Sequence, residues 1–316
     1  MTRHLLLVAA VAVPMMHGCE KQGIDGEQNV GKPTVALVMK SLANDFFSRM
    51  AEGTREHHAE NHERYELIIN GIKDESDLTQ QVALVEQMIA RRVDVLVLAP
   101  ADSKALVPVT KRATEAGVIV INIDNKLDAK LLDEAGLSIP FVGPDNREGA
   151  RLVGEHLAGV LKPGDSVAII SGISTAFNAQ QRQLGFEDAM KKAGANIVSI
   201  QNGDWNQAKA GTIAAALITE YPDLKAILCG NDNMAIGAVA AVKQAGKSGY
   251  IDVVGFDNID ASHELLMNGD MLATAEQYAA KLAVYGVEYA LQILATGERP
   301  ADRKTPVTLI TAGELR

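Results

Sequence analysis

Apolar residues in this chain come in short unbroken runs separated by longer amphipathic stretches. Val35-Ala36-Leu37-Val38-Met39 is the first run after Thr34, and it predicts a strand buried on both faces. An amphipathic segment from Asp45 to His62 follows. Next come a strand at Glu66–Ile69, a helix over Leu78–Arg91 and a strand at Val93–Leu98. A helix over Ser103–Ala116, ended by Gly117, leads to a fourth strand at Val118–Ile123. Strict alternation of this kind predicts a parallel, doubly wound sheet. The pattern then restarts with a helix over Asp145–Leu161 and strands at Ser166–Ile170, Ile197–Ile200, Ala226–Cys229 and Ile251–Gly255. Helices over Gln180–Lys192, Gln207–Thr219 and Met234–Ala245 separate those strands. The fold class expected is therefore α/β, with two similar doubly wound parallel-sheet lobes. A helical stretch at Ala279–Ala295 and a short strand at Val307–Ile310 follow both units, and periodicity leaves open which lobe each joins.

The N-terminus has a different pattern. Met1-Thr2-Arg3-His4 is a positive start, and Leu5 to Val13 is apolar up to Pro14. That run is too short to cross ~30 Å of hydrocarbon but suits the core of a signal peptide. Gly18-Cys19 resembles the end of a bacterial lipobox, whose cysteine carries lipid. Residues 1–18 are thus expected to be an export signal, Cys19 a lipidation site, and 19–33 a polar tether. Location in the periplasm or on the exterior of the cell envelope follows. Membrane contact is expected through the anchor alone, since no later stretch reaches ~18 consecutive apolar residues.

Composition narrows the function. A chain of 316 residues exceeds one ordinary core, which agrees with two lobes. Its net charge of −10 argues against a nucleic-acid partner. Cys19 and Cys229 are the only cysteines, too few for a disulfide framework or a cysteine-rich metal site. Gly26-x-x-x-x-Gly31-Lys32 approaches a phosphate-binding loop, but Pro33 stands where Ser or Thr is required, and a strand follows it rather than precedes it. Gly246-Lys247-Ser248 fails for lack of a glycine at Ala241. His58 and His62 lack the His-Glu-x-x-His order of a metalloprotease and read as a solvated helix face. No metal, cofactor or catalytic residue is expected.

Ligands of open parallel sheets bind beyond the carboxyl ends of the strands. Polar and aromatic residues gather at those positions here. Lys40, Asn44, Phe46 and Phe47 follow the first strand, and Asp124-Asn125-Lys126 the fourth. In the second unit the strand ends lead to Ser171-Gly172, Asn202-Gly203-Asp204-Trp205, Asn231-Asp232-Asn233 and Phe256-Asp257-Asn258. Arg182 lies just beyond one of these loops, and Gln277 follows Met271–Glu276. Planar Asp, Asn, Gln and Arg groups suit adjacent hydroxyls, because each can satisfy and orient a pair of hydrogen bonds. Aromatic faces suit the C–H face of a sugar ring. Only 4% of the chain is aromatic, so the single Trp and a Phe pair at strand ends carry weight.

These residues resemble the periplasmic binding proteins of bacterial sugar importers, in the ribose and allose branch. The resemblance runs from Lys32 to about Ala312. It rests on Val38-Met39-Lys40-Ser41-Leu42-Ala43-Asn44-Asp45-Phe46-Phe47, Ile123-Asp124-Asn125-Lys126 and Gly230-Asn231-Asp232-Asn233-Met234-Ala235-Ile236-Gly237. Val253-Val254-Gly255-Phe256-Asp257 and Ala273-Thr274-Ala275-Glu276-Gln277 complete it. It implies ligand contacts from Lys40, Asn44, Phe46, Phe47, Asp124 and Asn125 on the first lobe. Arg182, Trp205, Asn231 and Asp257 would supply them from the second, with Gln277 at the hinge. It also implies three crossings, near Gly143–Asp145, Gln277 and Thr305. The N-terminal lobe would then be 34–144 plus 278–305 and the C-terminal lobe 145–277 plus 306–316. The implied function is capture of a monosaccharide or sugar alcohol by a monomer that delivers it to the membrane permease of an ABC importer. A secreted sugar-processing enzyme, a sugar-sensing receptor without transport and a sugar-responsive repressor are the alternatives. An export signal where a repressor carries its DNA-binding domain speaks against the last.

Overall fold

A computed structural model describes residues 31–315. The expected export signal, Cys19, the tether as far as residue 30 and the start of the glycine-rich near-match lie outside the described residues. In chain order the elements are β1 (Thr34–Ser41), α1 (Asp45–Glu60), β2 (Glu66–Ile72), α2 (Leu78–Ala90), β3 (Val95–Leu98), α3 (Val107–Glu115), β4 (Ile119–Ile123), α4 (Ala129–Glu134) and β5 (Phe141–Pro144). Then come α5 (Asn146–Ala158), β6 (Ser166–Ser171), α6 (Phe177–Ala193), β7 (Asn196–Asn202), α7 (Gln207–Glu220), β8 (Leu224–Cys229), α8 (Asp232–Gln244) and β9 (Asp252–Val254). The chain ends with α9 (Asp260–Asn268), β10 (Thr274–Glu276), α10 (Ala279–Thr296), β11 (Arg303–Thr305) and β12 (Thr308–Ile310).

One sheet has the order β11-β5-β4-β3-β1-β2 and a second β7-β6-β8-β9, all pairs parallel. Each sheet starts at an inner strand, adds one neighbour, then reverses direction, so the two lobes repeat one doubly wound plan. The reversal points lie between β1 and β3 and between β6 and β8. β10 and β12 form a separate antiparallel pair.

The unbroken apolar runs follow from burial on both faces. In β1, Val35, Leu37 and Met39 pack with α1 and α10, whereas Ala36 and Val38 join the core under α2 and α3. In β6, Ala168 and Ile170 face α7 and α8, and Val167 and Ile169 face α5 and α6. A period of two with both sides covered leaves the middle of these two strands apolar and confines polar residues to their ends.

The chain passes between the sheets three times: after β5, between β10 and α10, and between β11 and β12. α10 packs on α1, β3 and β4, so it belongs with the first sheet. Several boundaries differ from the sequence expectation. α3 starts at Val107 rather than Ser103, because the Asp102 carboxylate accepts from the backbone N–H groups of Lys104 and Ala105 at 2.7 Å and stabilises a turn there. α6 starts at Phe177, three residues before Gln180, which puts Arg182 in its second turn. α4, β5, α9, β10 and β11 gave no periodic signal. Each spans nine residues or fewer, and β5 contains both Gly143 and Pro144.

Candidate functional site

The carboxyl ends of the two sheets face each other, and between them lies a small cavity, with about 210 Å³ of empty space that includes its opening to solvent. The first sheet contributes Lys40, Asn44, Phe46, Phe47, Glu75 and Asp124 to its lining; the second contributes Asn178, Arg182, Trp205, Asn231 and Asp257, with Gln277 between them.

On the first lobe, Lys40 is a buried ammonium at the end of an otherwise apolar strand. Its Nζ lies 3.1 Å from Asp124 Oδ2 and 3.8 Å from Glu75 Oε2, and it sits 5.5 Å from the Phe47 ring centroid. Asn44 does two jobs: its Oδ1 accepts from the Phe46 N–H and caps α1, while its Nδ2 donates to Glu75 Oε1 at 3.0 Å. Phe46 and Phe47 meet edge to face at 5.1 Å. Asp124 is shaped from below by Asn122, whose side chain donates to the Asn125 carbonyl and accepts from the Leu127 N–H. Gln81 ties the ends of β1 and β3 together through the Met39 and Ala99 carbonyls and the Ala101 N–H.

On the second lobe, the Arg182 guanidinium is fixed on three sides. It donates to Asn146 Oδ1 at 2.8 Å, the Gly230 carbonyl at 3.0 Å and Asp257 Oδ1 at 3.2 Å. It stacks 3.8 Å from the Phe256 ring centroid and 5.5 Å from that of Trp205. Gln277 Nε2 also donates to Asp257 Oδ1, at 2.7 Å. The Trp205 ring lies against Gly172 and Gly230, where any side chain at Gly172 would overlap it. Asn231 Oδ1 accepts from the Met234 N–H and caps α8.

Three features point outward from the protein to an occupant. Among the described residues, Trp205 Nε1 and Gln277 Oε1 are buried without a hydrogen-bond partner, and Asp124 Oδ2 has only the Lys40 ammonium, at 3.1 Å. Such atoms are uncommon in folded proteins because their desolvation is uncompensated. Asp124, Trp205 and Asp257 also hold positive φ angles of 62°, 63° and 114°, an unfavourable conformation that persists where the surroundings enforce it. Finally, three carboxylates face two cations. Burial pushes Asp257 well above the ordinary carboxylate value against the pull of Arg182. Burial also raises Glu75, against Lys40 and the Asn44 hydrogen bond.

Ten of the eleven residues picked from the sequence line this cavity: Lys40, Asn44, Phe46, Phe47, Asp124, Arg182, Trp205, Asn231, Asp257 and Gln277. Asn125 does not. Its side chain is fully buried and engaged elsewhere, donating to the Pro100 carbonyl at 2.9 Å and accepting from the Asn178 N–H at 3.1 Å. Glu75 and Asn178 are lining residues that sequence reasoning missed. Glu75 follows β2 by three residues inside the acidic stretch Asp74–Asp77, which reads as a solvated turn. Asn178 was hidden by the late start assigned to its helix.

Residues 35–299 match the family described as periplasmic binding protein domain. The chain is 56% identical over 286 residues to the D-ribose/D-allose-binding protein of Pseudomonas aeruginosa, covering 89% of each. It is similar to a solved ABC transporter solute-binding protein from Burkholderia multivorans, with 57% identity, TM-score 0.88 and coverage of 89% of this chain and 100% of that one. It is also similar to a periplasmic solute-binding protein from Actinobacillus succinogenes with bound D-allose, at 34% identity, TM-score 0.83 and coverage of 90% and 99%.

Proposed function

The chain belongs to the periplasmic binding protein domain family, and from that premise we propose that it captures a neutral monosaccharide between its lobes and delivers it to an ABC importer. The observation that carries this reading is the set of unpartnered buried atoms. Asp124 Oδ2 has only the Lys40 ammonium, at 3.1 Å, while Gln277 Oε1 needs a donor and Trp205 Nε1 an acceptor. A hydroxyl group is both at once. Lys40 and Arg182 are already paired with Asp124, Glu75 and Asp257, so an aldonate or a sugar phosphate would find no free counter-charge in the lining. Phe46, Phe47 and Trp205 offer faces for the apolar side of the ring. We include Glu75 and Asn178 among the ligand contacts.

The same layout supports binding without turnover. Asp257 Oδ1 already accepts from Arg182 and Gln277, which commits it to orientation rather than to proton transfer. The protein acts as an exported monomer, held at the membrane through Cys19; release of Cys19→Ser from the membrane fraction checks the anchor.

Calorimetric titration with D-ribose, D-allose, a sugar alcohol and a hexose 6-phosphate tests the reading. At least one neutral compound is expected to bind with a stoichiometry of about one and to be recovered unchanged, while the phosphate is rejected. The single tryptophan gives a parallel signal, since its emission should change saturably with the same sugar. Binding of the phosphate alone would overturn the proposal.

A further inference from the structure

The start of α6 is built from both lobes. Its N-cap residue is Ala176, which has no side chain to satisfy the first backbone N–H groups. The Phe177 N–H donates instead to Ser103 Oγ at 2.8 Å, and the Asn178 N–H to Asn125 Oδ1 at 3.1 Å. Ala179, the third, is served by Asn178's own side chain at 2.9 Å. Just before the helix, the Thr175 hydroxyl donates to Asp102 Oδ2. Asp102, Ser103 and Asn125 all lie in loops of the first sheet, after β3 and β4, whereas α6 packs on the second. Asp102, Ser103, Asn125 and Asn178 are nearly fully buried.

We propose that Ser103 and Asn125 are positioning residues that cap α6 across the cleft and thereby set how tightly the closed form holds any ligand. This rests on the sugar-binding reading above for its consequence, not for its geometry. When the lobes part, a cap borrowed from the other lobe is withdrawn and two N–H groups must turn to water. Closing restores it, and the Asp102 carboxylate adds a favourable charge at the positive end of the helix. Arg182 sits one turn further along the same helix, but its guanidinium is held within the second lobe by Asn146, Gly230 and Asp257, so the cap bears on closure and not on that contact. In a two-state open–closed protein the apparent dissociation constant scales inversely with the competent fraction. A latch that touches no ligand therefore changes affinity by one factor for every sugar.

Ser103→Ala removes one cap and Thr175→Val removes the contact to Asp102. For each, the dissociation constants of D-ribose and D-allose are expected to rise together by about threefold to tenfold, the scale of one net hydrogen bond, mainly through faster release. The sugar-free protein should melt at the wild-type temperature, because the cap is absent when the lobes are open. Ser103→Thr keeps the hydroxyl and should restore affinity. Spin labels on Lys130→Cys and Lys192→Cys, one on each lobe and both exposed in the native protein, read closure directly. Without sugar, the compact fraction should be smaller in Ser103→Ala than in its parent. Equal compact fractions, unchanged affinities or unequal factors for the two sugars would each overturn the latch. If the parent binds none of the sugars, the functional reading fails, and the label distances still decide the latch.

Discussion

Asp257 shows how neighbours assign a task to a side chain. One of its oxygens accepts from Arg182 and Gln277, and burial raises its proton affinity well above that of an ordinary carboxylate. The charge is therefore costly to maintain and is stabilised chiefly by the guanidinium. Asp257→Asn keeps the shape and one acceptor but leaves Arg182 without its counter-charge. Sugar affinity is expected to fall by about 2–4 kcal/mol, the scale for one half of a buried charged pair. The sugar-free fold should lose less, because with the lobes parted water reaches the Arg182 left without its counter-charge. Calorimetry and thermal melts on the same preparation check both halves; undiminished affinity would make Asp257 a turn residue. Its place at the cavity was legible in the sequence from its position after an apolar strand, and its partners were not, since they lie 75 and 20 residues away.

At the scale of elements, helix starts carry much of the site. Asn44 and Asn231 both cap the helix that follows their strand and line the cavity. Asparagine has an acceptor for the backbone and a separate donor, so one residue can cap a helix and still present a polar group at the cavity. The two uses separate experimentally at Asn231. Asn231→Asp keeps the acceptor for the Met234 N–H and should retain the melting temperature while losing affinity for the sugar. Asn231→Ala should lose affinity and also about 1 kcal/mol of stability, the usual worth of a cap. Equal melting temperatures for both variants would show that the cap is unimportant. The sequence reveals this pairing through Asx residues at strand ends. The cap of α6 left no such trace, because the helix starts at an alanine and its partners are about 50 to 75 residues earlier.

For the molecule as a whole, buried carboxylates set the dependence of stability on pH. Burial raises Asp232 to about 7 from an ordinary 3.8, against hydrogen bonds from Thr274, Ser262 and the Ile259 and Phe256 backbone. Glu75 and Asp257 are shifted in the same direction. A folded acid with a raised pKa keeps its proton where the unfolded chain has lost it. The stability it allows is full below the ordinary value and is lost as pH rises through the folded one. Carboxylates held low by exposed partners, such as Asp145 and Asp188, act with the opposite sign, but below about pH 4, so the two windows separate. The sugar-free protein is thus expected to melt at a higher temperature near pH 5 than near pH 8, and Asp232→Asn should flatten that slope. A melting temperature that climbs with pH across this window would contradict the assignment.

The sequence by itself determined the two-lobed α/β plan and most of the cavity. Continuous apolar strands require cover on both faces, and parallel strands direct their polar ends to one side, so Lys40, Asp124, Trp205, Asn231 and Asp257 could be found by position alone. Only the tertiary structure decided which of those residues face each other. It sent Asn125 to the opposite lobe's helix rather than to the cavity and brought in Glu75 from an acidic turn. It also left Trp205 and Gln277 with atoms that no other described residue satisfies. The physical reason is one of range. Periodicity reports whether a position is covered and so follows from neighbours a few residues away, whereas hydrogen-bond partnership depends on distance and angle between segments that meet only after both sheets have formed.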